Sequence, residues 1–525
     1  MKAFKIITAA VVLTMSITSC QKGNLNLNPN AVNANSAIPV SLIVNHLTAI
    51  LVRSDEMPFG GDVYKNNQFQ VSNYAKYWGT NEDSWSYSAH SYEILKYAVQ
   101  LEFQAKTQFG NTTNKYFAIS KFFRAYSAVW LAQRVGDIPM TQAGDIANYV
   151  TPAFDTQHDV YKNSLKLLDD ANAILAALGS PGTVLDGGDI FALTNLQWQK
   201  VINTYRLRVL ISLSKRADDN ADLNIKSQFA AILGNAATYP IMTSNSDNVV
   251  YKYTTATPYP IFASGSNSYN NFMNVGKPVL DITTSTQDPR TYLMATPVKT
   301  TDVGNFANYI GADPGTALAT LQNEGPTGKY SFFNAQRYLG DATGSKAEPF
   351  IFIGYPEMSF NIAEGINRGW VPTLTAADAK TWYDKGIAAS FSNFGLNVAT
   401  NSTVTISDAA GKSLGTVTTD NATFLANVSY NVASPTTALA QILQQKYVAL
   451  FMNSGWEAFL NHRRTGLPAQ FSEGGTGIGT AGGKLPRRWL YPLDEINANG
   501  ANYQKAISSQ FGGTDDVFKD TWLTK

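Results

Sequence analysis

The chain has 525 residues, with 40 lysines and arginines against 39 aspartates and glutamates, a formal net charge of +1. So even a balance excludes a protein that works through a broad basic field on nucleic acid or anionic lipid. Charged residues are sparse at 15% while aromatics reach 12%, with 26 Tyr and 9 Trp; such rings fill a large core and also suit half-exposed faces that stack on ligands.

Residues 1–19 read as a secretory signal peptide. Lys2 and Lys5 open it, Ile6 to Leu13 is apolar but for Thr8, and Ser16, Thr18 and Ser19 lead to Cys20. The apolar run is too short for a comfortable membrane span. Cys20 is the chain's single cysteine, so no intrachain disulfide is possible. Ile17-Thr18-Ser19-Cys20 resembles a lipobox, with Cys20 lipidated and becoming the mature N-terminus. Loss of residues 1–19 would remove Lys2 and Lys5 and no acid, leaving 38 basic against 39 acidic groups, net −1. Buried acyl methylenes hold such a protein to a bilayer at about 0.8 kcal/mol each. Residues 20–35, rich in Asn, read as a flexible tether.

No Pro/Ser-rich linker or long charge run follows, so residues 36–525 read as one large domain or two closely packed lobes, the single domain being preferred. Its helical scaffold runs over about 38–233. Ile38 to Val52 has helical spacing, and the following "MPFGGDVYKNNQFQVSNYAKYWGTNEDSWSY" is loop-like yet loaded with aromatics. Tyr116, Ile119, Phe123, Tyr126 and Trp130 form a helical stripe stopped by Gly136. Val160 to Leu178 forms another, with Thr156 and Asp159 as a capping box and Gly179-Ser180-Pro181 as its end. Trp198 to Leu213 is apolar nearly all round and should be buried on most sides. Helix pairs of this length resemble tetratricopeptide units, without their strict signature.

Residues 234–350 form a loop-rich region dominated by Gly, Asn, Ser, Thr and Pro; irregular segments this long are usually functional. The C-terminal helical lobe, 351–525, has helices over 357–367, 376–393 and 437–459, a small β-hairpin insertion at 403–418, and a short helix near 504–510.

No enzyme motif stands out. His46, His90, His158 and His462 lack metal-ligand spacing, so neither a metal nor a cofactor is expected. Glu82 and Asp83, between Trp78 and Trp85, are the one pair suggesting a glycoside hydrolase, which needs two carboxyls about 5 to 9 Å apart; an ordinary solvated pair is the better reading. Glu357 and Glu364 read as structural acids paired with Arg463 or Arg464, and Arg487 and Arg488 as a network near Glu495. Trp130, Trp198, Trp382 and Trp456 are assigned to packing. A sugar presents apolar C–H faces and equatorial hydroxyls, so a binder combines flat rings with amide or carboxylate side chains. Asn67, Tyr74, Trp78, Asn81, Asp83, Trp85 and Tyr87 form the best such cluster, with Tyr77 and Asn73 among them; Tyr259, Phe262, Asn267 and Tyr269 form a second, beside Asn270.

"RVGDIPMTQAGD", "FDTQHDVYKNSLKLLDDANAIL", "DPR" at 288–290, "YPEMSFNIAEGINRGW", "WYDKGIAASFSNFG", "ILQQKYVALFMNSGWEAFLNHRRTGLP" and "LPRRWLYPLDEINANGANYQKAI" together resemble SusD/RagB-type lipoproteins. The resemblance implies a mostly α fold: tetratricopeptide-like helix pairs with long irregular ligand-binding loops and a small β-hairpin. It implies a non-enzymatic, lipid-anchored outer-membrane protein at the cell surface. Such a protein captures oligosaccharides, or peptides in some members, for a SusC-like TonB-dependent transporter. The residues after Cys20, Gln21-Lys22-Gly23-Asn24, lack the acids often found there, so surface display rests on the resemblance.

Overall fold

The computed structural model describes residues 38–55, 61–74, 81, 83, 85–86, 90–145, 148–185, 187–260, 272–340, 343–474 and 484–525. Cys20 and the tether lie outside these residues. The chain divides at Pro39, and Val40–Lys525 is one compact unit.

That unit is mostly α-helical. Its helices of nine residues or more are α1 Val40–Asp55, α2 His90–Phe109, α3 Lys115–Val135, α4 Gln157–Ala177, α5 Asn195–Ser212, α6 Ile225–Gly234, α7 Lys277–Ser285, α8 Tyr355–Asn367, α9 Ala376–Asn393, α10 Pro435–Ala449, α11 Glu457–Thr465 and α12 Gly500–Phe511. Helices α1 to α6 pack as successive pairs, and α8, α9 and α10 pack on one another, with α5 against α8. These are the tetratricopeptide-like pairs expected from the sequence.

Local chemistry sets the helix ends. Asn114 caps α3 by accepting from the Phe117 N–H, and Gly136 ends it at φ 102°, where a side chain would be strained. Thr156 caps α4, accepting from Asp159 N–H. Thr194 and Gln197 form a capping box at α5. As expected of its composition, α5 is buried on almost every side. Helix α2 was not among the sequence expectations, although Ile94, Leu95, Ala98 and Leu101 are fully or almost fully buried at helical spacing.

One sequence-based helix is corrected. The stretch 437–459 is two helices, α10 and α11, separated by a turn. Met452, Ser454 and Gly455 have φ of 59°, 57° and 55° there, which breaks helical continuity. Tertiary bonds hold the turn: Ser454 N–H donates to Ile351 O at 2.8 Å, and Ile351 N–H donates to Asn453 Oδ1 at 2.9 Å.

Among the described residues, six short strands make three antiparallel pairs. β1 Gln70–Ser72 pairs with β3 Met273–Val275, β2 Val249–Tyr251 with β4 Phe350–Ile353, and β5 Thr403–Ser407 with β6 Ser413–Thr418. The last is the expected hairpin. Val404 and Ile406 of β5 point inward while Thr403 and Thr405 face solvent, the period-2 alternation of a one-sided sheet. No helix among the described residues is long and apolar enough to cross a membrane.

Candidate functional site

The β1–β3 pair brings the first aromatic segment beside Phe272. Gln70 lies opposite Val275 and Ser72 opposite Met273. Just beyond the strands, Asn73 N–H donates to Phe272 O at 3.1 Å, and the Tyr74 ring stacks on Phe272 at 4.2 Å and 11°. Beneath them Asn73 donates to Asn274 Oδ1 at 2.8 Å, and Asn274 donates to Tyr330 O at 3.2 Å. Tyr330 in turn gives its hydroxyl to Glu324 at 2.7 Å. Tyr74 and Phe272 are both half-buried. Phe272, Asn274 and Tyr330 were not among the sequence candidates; strand pairing across so many residues leaves no local signal.

The other residues of the first cluster are turned inward. Asn67 is fully buried and spent on the backbone: its amide donates to Gly455 O at 2.7 Å and accepts from Phe459 N–H at 3.0 Å. It thereby staples the α10–α11 turn. Asn81 is 2% exposed and mimics a strand partner, accepting from Ser72 N–H at 2.7 Å and donating to Ser72 O at 3.2 Å. Trp85 is fully buried at φ 50°, packed on Trp489, Phe459 and Trp456 with ring centroids 4.7, 5.2 and 6.1 Å away. Asp83 accepts from Asn66 at 3.1 Å and from Trp85 N–H at 3.1 Å. Burial, with Asp62 nearby, raises its carboxyl above the usual range. Trp78, Tyr77, Glu82 and Tyr87 lie outside the described residues, as do Phe262, Asn267, Tyr269 and Asn270.

Tyr259, 5% exposed, ends a series of rings. Tyr251 meets Tyr253 edge-on at 5.4 Å, and Tyr253 meets Tyr259 edge-on at 4.8 Å. The Tyr259 N–H donates to Gly344 O at 3.0 Å. Tyr251 and Tyr253 line an open cleft of about 960 Å³ with Phe191, Gln197, Asn245, Asn248, Thr257 and Pro258. Its walls are built rigidly. Asp189 takes the N–H groups of Phe191 and Leu193 and the Trp198 indole, all within 3.0 Å. Asn245 donates to Ala389 O at 2.9 Å, and Asn248 accepts from Tyr355 N–H at 2.7 Å at the start of α8. Lys252 is the one charged side chain among the described residues of the lining. Rings, amides and hydroxyls on an ordered wall can stack and hydrogen-bond a polar, ring-shaped ligand.

The charged residues proposed as structural are so. Glu364 takes Arg464 through both oxygens and Arg368 at 2.8 Å. Burial alone would raise its carboxyl, but the two guanidiniums outweigh that and hold it down to about 2. Glu357, however, is paired by Arg208 of α5 and not by Arg463 or Arg464. Likewise Arg487 and Arg488 bind Asp520 and Asp515, while Glu495 accepts from Asn499 at 3.2 Å. Trp130 and Trp198 are buried, whereas Trp382 and Trp456 are half-buried, Trp382 under the Lys385 ammonium at 4.1 Å. No group of three His, Cys, Asp or Glu among the described residues is placed to hold a metal.

Comparison with known proteins agrees with this architecture. A SusD homolog from Bacteroides fragilis is 24% identical, covering 93% of this chain and 100% of that one, with a TM-score of 0.76. Another from the same organism is 26% identical over 93% and 99%, TM-score 0.70. A chitin-binding SusD homolog from Flavobacterium johnsoniae is 19% identical over 92% and 98%, TM-score 0.66. No curated protein sequence matches the chain. The SusD-like family model, described as "starch-binding associating with outer membrane", matches residues 42–492, so the chain belongs to the SusD-like family of outer-membrane-associated nutrient-binding proteins.

Proposed function

We propose that this protein captures oligosaccharides at the outer membrane and delivers them to a SusC-like TonB-dependent transporter, held to the membrane by lipid on Cys20 and facing the cell surface. The observation that carries the glycan reading is the half-exposed stack of Tyr74 on Phe272, with the Tyr251–Tyr253 ring pair at a separate cleft in support. Tyr74 on Phe272 offers a half-exposed ring pair, and Tyr251 and Tyr253 edge a cleft of sugar dimensions lined by Asn245, Asn248 and Gln197. The rings supply stacking faces for C–H surfaces, and the Asn248 and Gln197 NH2 groups, whose oxygens already accept from the Tyr355 and Thr194 N–H groups, are left to donate to hydroxyls. Asp83 is already engaged by Asn66 and by the Trp85 backbone, which favours binding over hydrolysis.

The test is calorimetry on residues 21–525 against starch-type and chitin-type oligosaccharides and against mixed peptides, with Tyr74→Ala and Tyr251→Ala beside the parent. Heat from a glycan that either substitution reduces tenfold or more supports the reading. Heat from peptides alone moves the protein to oligopeptide import. Cleavage of the glycan, abolished by Glu82→Gln or Asp83→Asn, would instead make it a glycoside hydrolase.

A further inference from the structure

The cleft edged by Tyr251 and Tyr253 carries an uneven set of polar groups. The side-chain oxygens of Gln197 and Asn248 are already in use, accepting from Thr194 N–H at 2.9 Å and from Tyr355 N–H at 2.7 Å. Neither NH2 group has a partner among the described residues, so the free ends of both amides are donors. Asn245 does not offset them: its NH2 is spent on Ala389 O, and its Oδ1 is buried away from solvent. The hydroxyls of Ser246 and Thr257 are each bonded to another hydroxyl, Ser244 at 2.7 Å and Thr254 at 2.9 Å.

Charge follows the same bias. Lys252 stands just past the end of β2, between the two tyrosines in sequence, and is exposed. It makes no hydrogen bond or ion pair with any described residue. No aspartate or glutamate is among the described residues of the lining. Two acids in the adjoining segments are already committed. Asp189 holds the Phe191 and Leu193 N–H groups and the Trp198 indole. Asp247 takes Lys200 through both oxygens at 2.9 Å and Thr243 N–H at 2.8 Å.

A wall of spare donors with one uncompensated cation is best matched by a ligand that brings both acceptors and negative charge. Hydrogen bonds to an ionised acceptor are roughly twice as strong as neutral ones. We propose that this cleft selects anionic oligosaccharides, their charge carried by a uronate carboxylate or a sulfate ester, with Lys252 as the counter-charge and the Gln197 and Asn248 amides as further donors. This inference deepens the glycan reading of the cleft and rests on it.

Calorimetry on residues 21–525 tests it with four probes of matched length: an oligogalacturonate, a sulfated galactan oligosaccharide, a maltooligosaccharide and a chitooligosaccharide, beside an oligoglutamate peptide. The expected result is that an acidic glycan binds about tenfold tighter than either neutral one at low salt. The gap should narrow as sodium chloride is raised, because salt screens an exposed charge pair. Lys252→Gln should erase the preference, and Lys252→Arg should keep it. Which of the two acidic glycans binds identifies the carboxylate or the sulfate ester as the recognised group. Neutral glycans bound as tightly as acidic ones, or acidic binding unchanged in Lys252→Gln, would overturn this inference and leave the glycan reading standing. Heat from the peptide with none from any glycan would overturn both.

Discussion

Tyr74 and Phe272 lie ring on ring at 4.2 Å although they sit in segments far apart in the chain. The strands beside them, Gln70–Ser72 and Met273–Val275, fix that meeting. Truncating either ring removes half of a stacking platform while leaving the strand ladder intact. Tyr74→Ala and Phe272→Ala should each weaken glycan binding tenfold or more with a stability change of about 1 kcal/mol or less, since both rings are only half-buried. Parallel calorimetry and thermal melts separate the two effects.

Trp85 should behave in the opposite way. It is fully buried against Trp456, Phe459 and Trp489, with no face left for a ligand. Trp85→Ala leaves a large cavity and should cost about 3–5 kcal/mol. Urea unfolding is the measurement; a fully stable variant with lost binding would return Trp85 to the binding surface.

The contrast shows what was legible in the sequence. Helical stripes such as Tyr116 to Trp130 and the capping residues Thr156 and Thr194 announce themselves locally, because a helix is built from neighbours in sequence. The family resemblance and the pairing of Glu364 with Arg464 were legible as well. Aromatic-rich loops were not equally informative. Tyr74 and Trp85 stand in the same Gly/Asn-rich run, and only tertiary packing turns one outward and the other into the core. Asn67 and Asn81 read as ligand amides, yet each finds backbone partners supplied from elsewhere in the fold. The turn that splits α10 from α11 is likewise fixed by Ile351, a residue distant in sequence.

Gly276 limits how closely the site's strands approach. A Cβ there would stand 1.9 Å from the Gln68 carbonyl oxygen, a backbone atom with no room to yield. Gly276→Ala should therefore push β3 from the Gln68–Phe69 backbone and break the bond from Gly276 N–H to Phe69 O. The expected cost is about 1–3 kcal/mol or more, with glycan binding lost alongside because Phe272 moves with the strand. Retained affinity in a destabilised variant would separate β1–β3 register from ligand capture.

Glu364 anchors the helical junction electrostatically. It is fully buried and holds Arg464 and Arg368. Glu364→Gln leaves Arg464 without its carboxylate and should cost about 3–5 kcal/mol. With the folded carboxyl held to about 2 against an unfolded value of 4.5, the unfolded chain binds the extra proton between those limits. The contribution is therefore complete above pH 4.5 and is lost as pH falls toward 2. Acid melts of the parent should steepen across that window, and those of Glu364→Gln should lack this component.

Asp137 gives the reverse sign. It is 9% exposed, in the loop after α3, and accepts from Gln157 N–H at 2.7 Å. Burial, with Asp159 and Asp155 adding to it, outweighs that bond and the Lys525 charge and raises the carboxyl from 3.8 to about 6. Between those values the folded protein holds a proton that the unfolded chain has released. This group's contribution thus falls as pH rises from about 4 to 6, and above pH 6 ionised Asp137 destabilises the fold by up to about 3 kcal/mol. Asp137→Asn keeps an oxygen for the Gln157 N–H and removes the charge. It should be more stable than the parent at pH 8 and match it near pH 4, where both are neutral. Urea titrations at the two pH values measure this directly. An Asn variant that is weaker at pH 8 would mean that the bond from Gln157 needs the full carboxylate, and that the charge on Asp137 strengthens the α3–α4 connection.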